Sequence, residues 1–297
     1  MTLSLRPLTP DDAQAVADIV GDYDARFNGV ADRPTPEDVV YWWERVDAGP
    51  VGVVDESGNV VGAGTLRMRG PNLIADLFVH PDQQGRGGGS LLLDWAERTT
   101  AEKRLEAVRA GPAAGAARGK ELLEGRGYTY IRSFYRMTID LDGVPPEPDW
   151  PAGFTVALEP DQERLVYETL EESFEDHWGH EPRTFEEWVA SNGPLDERLC
   201  YLVRDGAGTV VAAQVCDEDR WGVAWVSILG VRRDWRRHGL GEALLRQAFH
   251  DLADRGRMRV ALGVDAENTT GATRLYTRVG MAVSSQDDVY EKRVPGA

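Results

Sequence analysis

Val231-Arg232-Arg233-Asp234-Trp235-Arg236-Arg237-His238-Gly239-Leu240-Gly241 decides the fold, because it repeats without a gap a stretch met earlier, Val79-His80-Pro81-Asp82-Gln83-Gln84-Gly85-Arg86-Gly87-Gly88-Gly89. The two stand 152 residues apart (231 − 79). Each follows an apolar, β-branched run and precedes a leucine stripe, Leu91 to Leu93 in one case and Leu244 with Leu245 in the other. Strand, glycine-rich turn, helix is therefore the expected order in both. A helix start leaves N–H groups unpaired and carries partial positive charge, so a glycine turn before it can wrap an anion with backbone donors. Glycine is required where a Cβ would block that approach or where φ must be positive.

Outward from these loops the same element order recurs, which predicts an internal duplication. The first half reads as a strand at 3–8, a helix from Pro10 to about Tyr23 opened by Thr9, and a helix at 35–46 capped by Thr35. A hairpin of runs 51–54 and 60–66 follows, then an apolar run at 73–79, the loop, a helix from Ser90 to about Arg104, a short strand, a weak helix and a strand at 128–141. The second half gives a strand at 154–158, helices at 160–174 and 184–190, a hairpin of 201–203 with 210–215, and a run at 224–231. The loop, a helix at 241–252, a strand at 259–264, a helix at 271–279 and a last strand near Val289 complete it. Hairpins combined with crossover helices predict an α/β fold, in the α+β sense of a mixed sheet flanked by helices, present twice in tandem. The proline-rich run 141–151 can continue neither helix nor central strand. The expected organisation is an N-terminal domain at 1–142, a linker at 143–152 and a C-terminal domain at 153–297.

Composition agrees with two ordinary globular cores: 297 residues, 42% hydrophobic and 28% charged. No stretch of about 18 apolar residues occurs and the first residues carry no apolar run, so no membrane partner and a cytoplasmic location are expected. Cys200 and Cys216 lie in apolar strands outside any Cys/His cluster, which predicts free thiols and no metal. A net charge of −17 argues against nucleic acid, which needs a concentrated basic face. It suits amine substrates, and equally it serves solubility.

The hexapeptides Gln84-x-x-Gly87-x-Gly89 and Arg236-x-x-Gly239-x-Gly241 resemble the (Q/R)-x-x-G-x-(G/A) motif of the GNAT N-acetyltransferase superfamily. In that family the loop holds the pyrophosphate of acetyl-CoA. The resemblance implies acetyl-CoA as cosubstrate, with Leu229, Val231, Arg236, Arg237, His238, Gly239, Leu240 and Gly241 around it in the second copy. In the first copy it implies Val79, Gln84, Gly85, Arg86, Gly87, Gly88 and Gly89. A dinucleotide fingerprint G-x-G-x-x-G fails on spacing in both. Of Arg232, Arg233, Arg236 and Arg237, one or two are expected on CoA phosphates and the rest in solvent.

A second signature occurs once. The run from Asn268 to Met281, with Leu275-Tyr276 and Gly280-Met281, resembles the superfamily's N-x-x-A-x-x-L-Y-x-x-x-G-(F/M) element, with one extra residue between Asn268 and Tyr276. The family's asparagine hydrogen-bonds cofactor or backbone where two strands splay, and its tyrosine sits beside the thioester sulfur. This implies cofactor contact for Asn268 and makes Tyr276 the candidate general acid: a phenol within hydrogen-bond reach can protonate a departing thiolate, while a backbone N–H polarises the carbonyl. Counting back from Gly127-Tyr128 sets Leu123 opposite Tyr276, and Gly111-Pro112-Ala113-Ala114 stands where the asparagine approach would be. The first copy is expected to keep the loop without the acid, binding acetyl-CoA structurally or nothing.

For the acceptor, Asp176, His177, Trp178 and Trp225 are the candidate contacts; the loop 175–184 joins the second copy's first two helices and carries two histidines beside a Trp-Gly pair. By strand alternation Trp225 and Ser227 should share a face. The candidate bases are Glu171, Glu172, Glu175, Asp176, His177, Asp217 and Glu218. The expected function is N-acetylation of a primary amine on a small molecule by a monomer or homodimer. The tandem arrangement also resembles the mycothiol synthase branch of the superfamily, which acetylates a sugar-linked cysteinyl amine. A non-catalytic acetyl-CoA-binding regulator is the alternative of another class.

Overall fold

The structure, a computed structural model, describes residues 2–30, 32–158, 162–175, 177–192, 195–268 and 270–294. The first copy contains β1 (Ser4–Pro7), α1 (Ala13–Phe27), α2 (Pro36–Trp43), β2 (Ala48–Val54), β3 (Val60–Arg69), β4 (Asn72–Val79), α3 (Gly88–Glu102), β5 (Ala107–Ala110), α4 (Ala117–Gly125) and β6 (Thr129–Asp140). The second contains β7 (Thr155–Ala157), α5 (Glu163–Phe174), α6 (Phe185–Asn192), β8 (Cys200–Arg204), β9 (Val210–Arg220), β10 (Val223–Val231), α7 (Leu240–Asp254), β11 (Arg259–Asp265), α8 (Ala272–Arg278) and β12 (Ala282–Arg293). The mixed α/β architecture in two copies is thus observed, element for element.

Local chemistry sets the element starts. At α2 the Thr35 Oγ1 accepts from Asp38 N (3.2 Å) while Asp38 Oδ2 accepts from Thr35 N (2.8 Å), a reciprocal capping box. Thr9 opens a short 3-10 turn that runs into α1, its N–H held by Asp12 Oδ2 at 2.9 Å. Pro160, expected to open the next helix, lies outside the described residues; α5 runs from Glu163. Residues 143–152, read as a linker, carry neither helix nor strand.

The chain forms two compact units, and both are composite. The first joins 1–135 to 265–267 and 284–297; the second joins 136–264 to 268–283. Strand order in the first is β1-β2-β3-β4-β5-β12, and in the second β6-β11-β10-β9-β8-β7. The closing strand of each copy is therefore exchanged: β12 pairs antiparallel with β5 (Tyr290 opposite Ala110), and the end of β6 runs beside β11, with Leu141 N on Met258 O at 2.7 Å.

In each unit one parallel pair lies inside otherwise antiparallel neighbours, β4 with β5 and β10 with β11. Pairing covers the first part of β4, Asn72–Ala75 against the whole of β5, and the early residues of β10, Ala224–Val226 against Val260–Leu262. Beyond those residues β4 and β10 run on toward their loops, so the two strands of each pair part there.

Helix α5 buries Val166, Thr169, Leu170 and Ser173, one face at i, i+3, i+4, i+7, against Leu202, Ala213 and Val215. Helix α7 buries Leu240, Ala243, Leu244, Ala248 and Leu252. Each fully buried leucine contributes about 1.5–3 kcal/mol, so the loops stand on well-anchored elements. Cys200 and Cys216 are free, and burial pushes the Cys200 thiol up to about 12. Among the described residues no helix is long and apolar enough to cross a membrane, and no group of three His, Cys, Asp or Glu is placed to hold a metal ion.

Candidate active site

The second loop leaves β10 through a 3-10 turn at Arg233–Trp235 and enters α7. Arg237 and Gly239 both take positive φ, 67° and 83°. Alternating handedness of this kind turns successive N–H groups toward one concavity, and for Arg237 it is a strained conformation of the sort retained at functional sites. No side chain caps Gly239, and among the described residues the first amide of α7 to find a backbone acceptor is Ala243, on Gly239 O at 3.0 Å. The preceding amides stay available to an anion.

The Arg236 side chain is committed at two of its nitrogens. Its Nε donates to Val231 O (3.2 Å) and its Nη2 to Ser173 O (2.9 Å), which fastens the loop to the end of α5. His238 Nδ1 lies 3.0 Å from Trp235 O and 3.1 Å from Arg236 O. Arg232 pairs with Glu172 at 3.2 Å. Arg237 is left as an exposed cation at the loop's crest.

Strand β10 is irregular where it parts from β11. Trp225 pairs with Asp217 and Val226 with Cys216, but Ile228 pairs with Val215, so Ser227 is an extra residue bulged out of the ladder. Bulges of this kind re-aim side chains beside active sites. Ser227 Oγ donates to Asp217 Oδ2. Alternation alone predicts one face for Trp225 and Ser227; the bulge interrupts alternation, yet both still neighbour Asp217, one by register and one by hydrogen bond. Arg136 and Arg220 flank the Trp225 ring, with guanidinium carbons 5.3 and 5.2 Å from its centre.

Leu229, farther along β10, reaches α7: its Cδ2 would stand 3.8 Å from a Cβ on Gly241. Leu275 Cδ2 would stand 3.0 Å from that same Cβ. Gly241 thus lets α8 pack directly on the first turn of α7, and α8 carries Tyr276. The Tyr276 ring is half-buried, its hydroxyl has no hydrogen-bond partner among the described residues, and burial alone pushes the phenol up to about 12. It stays protonated throughout the working range of a protein.

Asn268 is engaged locally. Its Oδ1 accepts from Thr270 N (2.9 Å), Thr270 Oγ1 (2.6 Å) and Ala272 N (3.4 Å), closing the turn into α8. Its side-chain carbonyl therefore orders the helix that bears Tyr276.

In the expected acceptor loop, Asp176 lies outside the described residues. His177 stacks near Phe174 with ring centres 4.3 Å apart, and Trp178 is 43% exposed, enough to offer its ring to a ligand. His180 lies 3.4 Å and Arg183 3.5 Å from Glu171. Of the candidate bases, Glu171 and Glu172 are tied to cations, and Glu218 contacts Arg255 and Arg257. Asp217 instead holds a neutral hydroxyl.

The first unit repeats the frame with other contents. Gly85 and Gly87 have φ of 78° and 95°, Gly87 is uncapped, and Leu91 N is bonded to Gly87 O at 3.1 Å. A Cβ on Gly89 would meet Leu122 Cδ2 at 2.9 Å, the counterpart of Gly241 and Leu275. A cavity of about 130 Å³ opens between the parted β4 and β5, reaching from Gln84, Gly85, Gly88 and Gly89 to Tyr23, with Val79 in its wall and Leu123 in the place of Tyr276. Arg86 bonds Gln83 and has further contacts. Sequence reading missed three groups: Ser227 as partner of Asp217, Tyr23, and Arg118, whose Nη1 would be 3.1 Å from a Cβ on Gly85. The alternation break at Ser227 has no local signal, and Tyr23 meets its partner Ala113 across 90 residues of chain.

Comparison with known proteins agrees with this frame. The model of the acetyltransferase (GNAT) family matches residues 16–128 and again 163–281. The mycothiol acetyltransferase of Kytococcus sedentarius is 30% identical over 95% of this chain and 95% of its own, and that of Streptomyces avermitilis is 31% identical over 73% and 70%. A solved GCN5-related N-acetyltransferase from Sphaerobacter thermophilus superposes with a TM-score of 0.86 at 31% identity, covering 99% of this chain and 97% of that one. A tandem GNAT protein from the clavulanic acid biosynthesis pathway shares the fold at a TM-score of 0.74 and 17% identity over the whole of both chains. With two matched regions that fall on the two copies of the strand-loop-helix frame, the chain belongs to the acetyltransferase (GNAT) family and is an acetyltransferase of tandem-domain type.

Proposed function

We propose that this enzyme transfers the acetyl group of acetyl-CoA to a primary amine of a small molecule, and that the second copy carries the reaction. One observation carries this reading: the same unit holds an uncapped glycine loop and, packed against its helix through Gly241 and Leu275, a half-buried phenol with no hydrogen-bond partner among the described residues. The amides at 238–241 receive the pyrophosphate, supported by Arg237. The thioester lies along the parted β10, where free backbone N–H groups polarise the carbonyl. The amine nitrogen bonds to the acetyl carbon as the C–S bond breaks. Tyr276 gives its proton to the departing sulfur and recovers one from solvent. The proton shed by the amine passes to Asp217, directly or through the Ser227 hydroxyl, and Trp225 with Arg136 and Arg220 walls the acceptor side.

The acceptor of the relatives' reaction is the favoured second reading at finer grain. Those relatives are mycothiol acetyltransferases, and the match to the Kytococcus protein runs through 95% of both chains. The test is release of free thiol from acetyl-CoA by the purified chain with a panel of amines that includes a sugar-linked cysteinyl amine. Turnover with that amine alone assigns the narrow reading, turnover with others the broad one. An absence of turnover with every amine, beside tight acetyl-CoA binding, would favour a regulator.

A further inference from the structure

One face of the second unit's sheet carries a row of charged side chains that acetyl transfer does not by itself require. Strands β6, β11, β10 and β9 lie side by side. Trp225 on β10 pairs with Asp217 on β9, so the two side chains share that face. On its other flank Trp225 pairs with Ala261, and Val226 with Leu262 makes the last rung before β10 and β11 part. The ring extends toward Gly263, where a Cβ would lie 3.8 Å from Trp225 Cζ2. With no side chain on β11 at that point, Arg136 reaches the ring from β6, its guanidinium carbon 5.3 Å from the ring centre. Arg220, at the end of β9, approaches to 5.2 Å. Ser227 and Gly263 are exposed and Trp225 and Asp217 half-buried, so a small solute can reach the row.

The charges decide what that solute is. Contact with an aromatic ring holds a guanidinium by its charge and takes none of its N–H donors. In a chain of net charge −17, the two arginines are a local reversal of sign. The acids that follow Asp217 answer to other cations: Glu218 lies 3.5 Å from Arg255 and 3.6 Å from Arg257, and Asp219 lies 3.0 Å from Arg257. Asp217 itself accepts from the Ser227 hydroxyl. An acceptor whose one charge is its ammonium would meet a carboxylate and two guanidinium groups, and the like charges repel it. An acceptor with an ammonium at one end and an oxyanion at the other meets opposite charge at both.

We propose that the acceptor is a dipolar amine, bearing a carboxylate or phosphate-type oxyanion besides the amine to be acetylated, with Arg136 and Arg220 reading the oxyanion and Asp217 the ammonium. The inference rests on the transfer proposed for the second copy and narrows its acceptor. Trp225 organises the site, since both cations contact its ring and its rung sets Asp217 beside it. A sugar-linked cysteinyl amine, whose one charge is its ammonium, fits this row less well.

Calorimetric titration of the full chain, saturated with CoA so that no transfer occurs, tests this with 4-aminobutyrate, 3-aminopropylphosphonate and n-butylamine. At least one anionic amine should bind about ten- to a hundredfold more tightly than n-butylamine, the range of hydrogen bonds to charged groups. The tighter of the two tells a carboxylate from a phosphate. Arg220→Gln, on an exposed side chain, should weaken the anionic amines about tenfold and strengthen n-butylamine, and Arg136→Gln should do the same. Equal binding of all three, binding of none, or the same loss for anionic and plain amines in the variants would overturn the proposal. Thiol release from acetyl-CoA is then followed with the same three amines. Selective binding without release would sink the transfer and leave the dipolar-amine site standing; release without preference would do the reverse.

Discussion

Leu275 rests on Gly241 so closely that a Cβ there would lie 3.0 Å from Leu275 Cδ2. The contact joins the helix that starts at the second glycine loop to the helix that carries Tyr276, and its counterpart, Leu122 on Gly89, recurs at 2.9 Å. Gly241→Val should therefore displace α8 rather than unfold the domain. Overpacking of this kind costs about 1–3 kcal/mol, and a 1 Å displacement of a catalytic group can cost roughly 10²-fold. Steady-state kinetics with a thermal melt should find kcat reduced far more than the melting temperature predicts.

Tyr276→Phe removes the proton and little else, since the hydroxyl has no partner to orphan. The expected loss in kcat is about 10²–10⁴-fold, with KM for acetyl-CoA within about twofold. The sign of the pH effect follows from a phenol raised to about 12. The acid form is active and persists up to that value, so the kcat profile of the parent enzyme should show no falling limb near pH 10. A limb there would place the phenol in solvent. The same raised value stabilises the folded state below pH 10, and that contribution fades as pH rises from 10 toward 12.

Asp217→Asn keeps the shape and removes the carboxylate, and Ser227→Ala removes the hydroxyl that Asp217 accepts from. If both serve the acceptor amine, Asp217→Asn should lower kcat by roughly 10²-fold and Ser227→Ala by less, with acetyl-CoA affinity unchanged by calorimetry. Losses in the two single variants should not add in the double variant, because the residues act as a pair.

Arg236→Lys tests the loop's anchorage. A guanidinium bonds Val231 O and Ser173 O together, whereas an ammonium on a flexible stem cannot hold both in that fork. Leaving one carbonyl unpaired costs about 1–3 kcal/mol. A denaturant melt should register that loss, and acetyl-CoA binding should weaken as the loop loses its anchorage.

Much of this was legible in the residues. Glycine spacing and helix starts expose the loops, because backbone conformation there depends on local residue type, and the duplicated order of elements gives the fold. Long-range placement was not legible. Nothing near Ser227 announces a bulge, which arises from pairing with β9, and the exchange of β6 and β12 depends on which sheet edge each strand meets. Arg236 matches its motif but spends its side chain on α5, a contact 63 residues away. Tyr23 looks like one more apolar position of an amphipathic helix until β5 brings Ala113 to it.

The most direct measurement is a crystal structure of the full chain with acetyl-CoA. The predicted result is pyrophosphate on the amides of residues 238–241 and the thioester sulfur about 3–3.5 Å from the Tyr276 hydroxyl, the reach of a proton transfer. A bound thioester in the second unit whose sulfur faces away from that hydroxyl, or a second loop bare while the first is filled, would contradict the account.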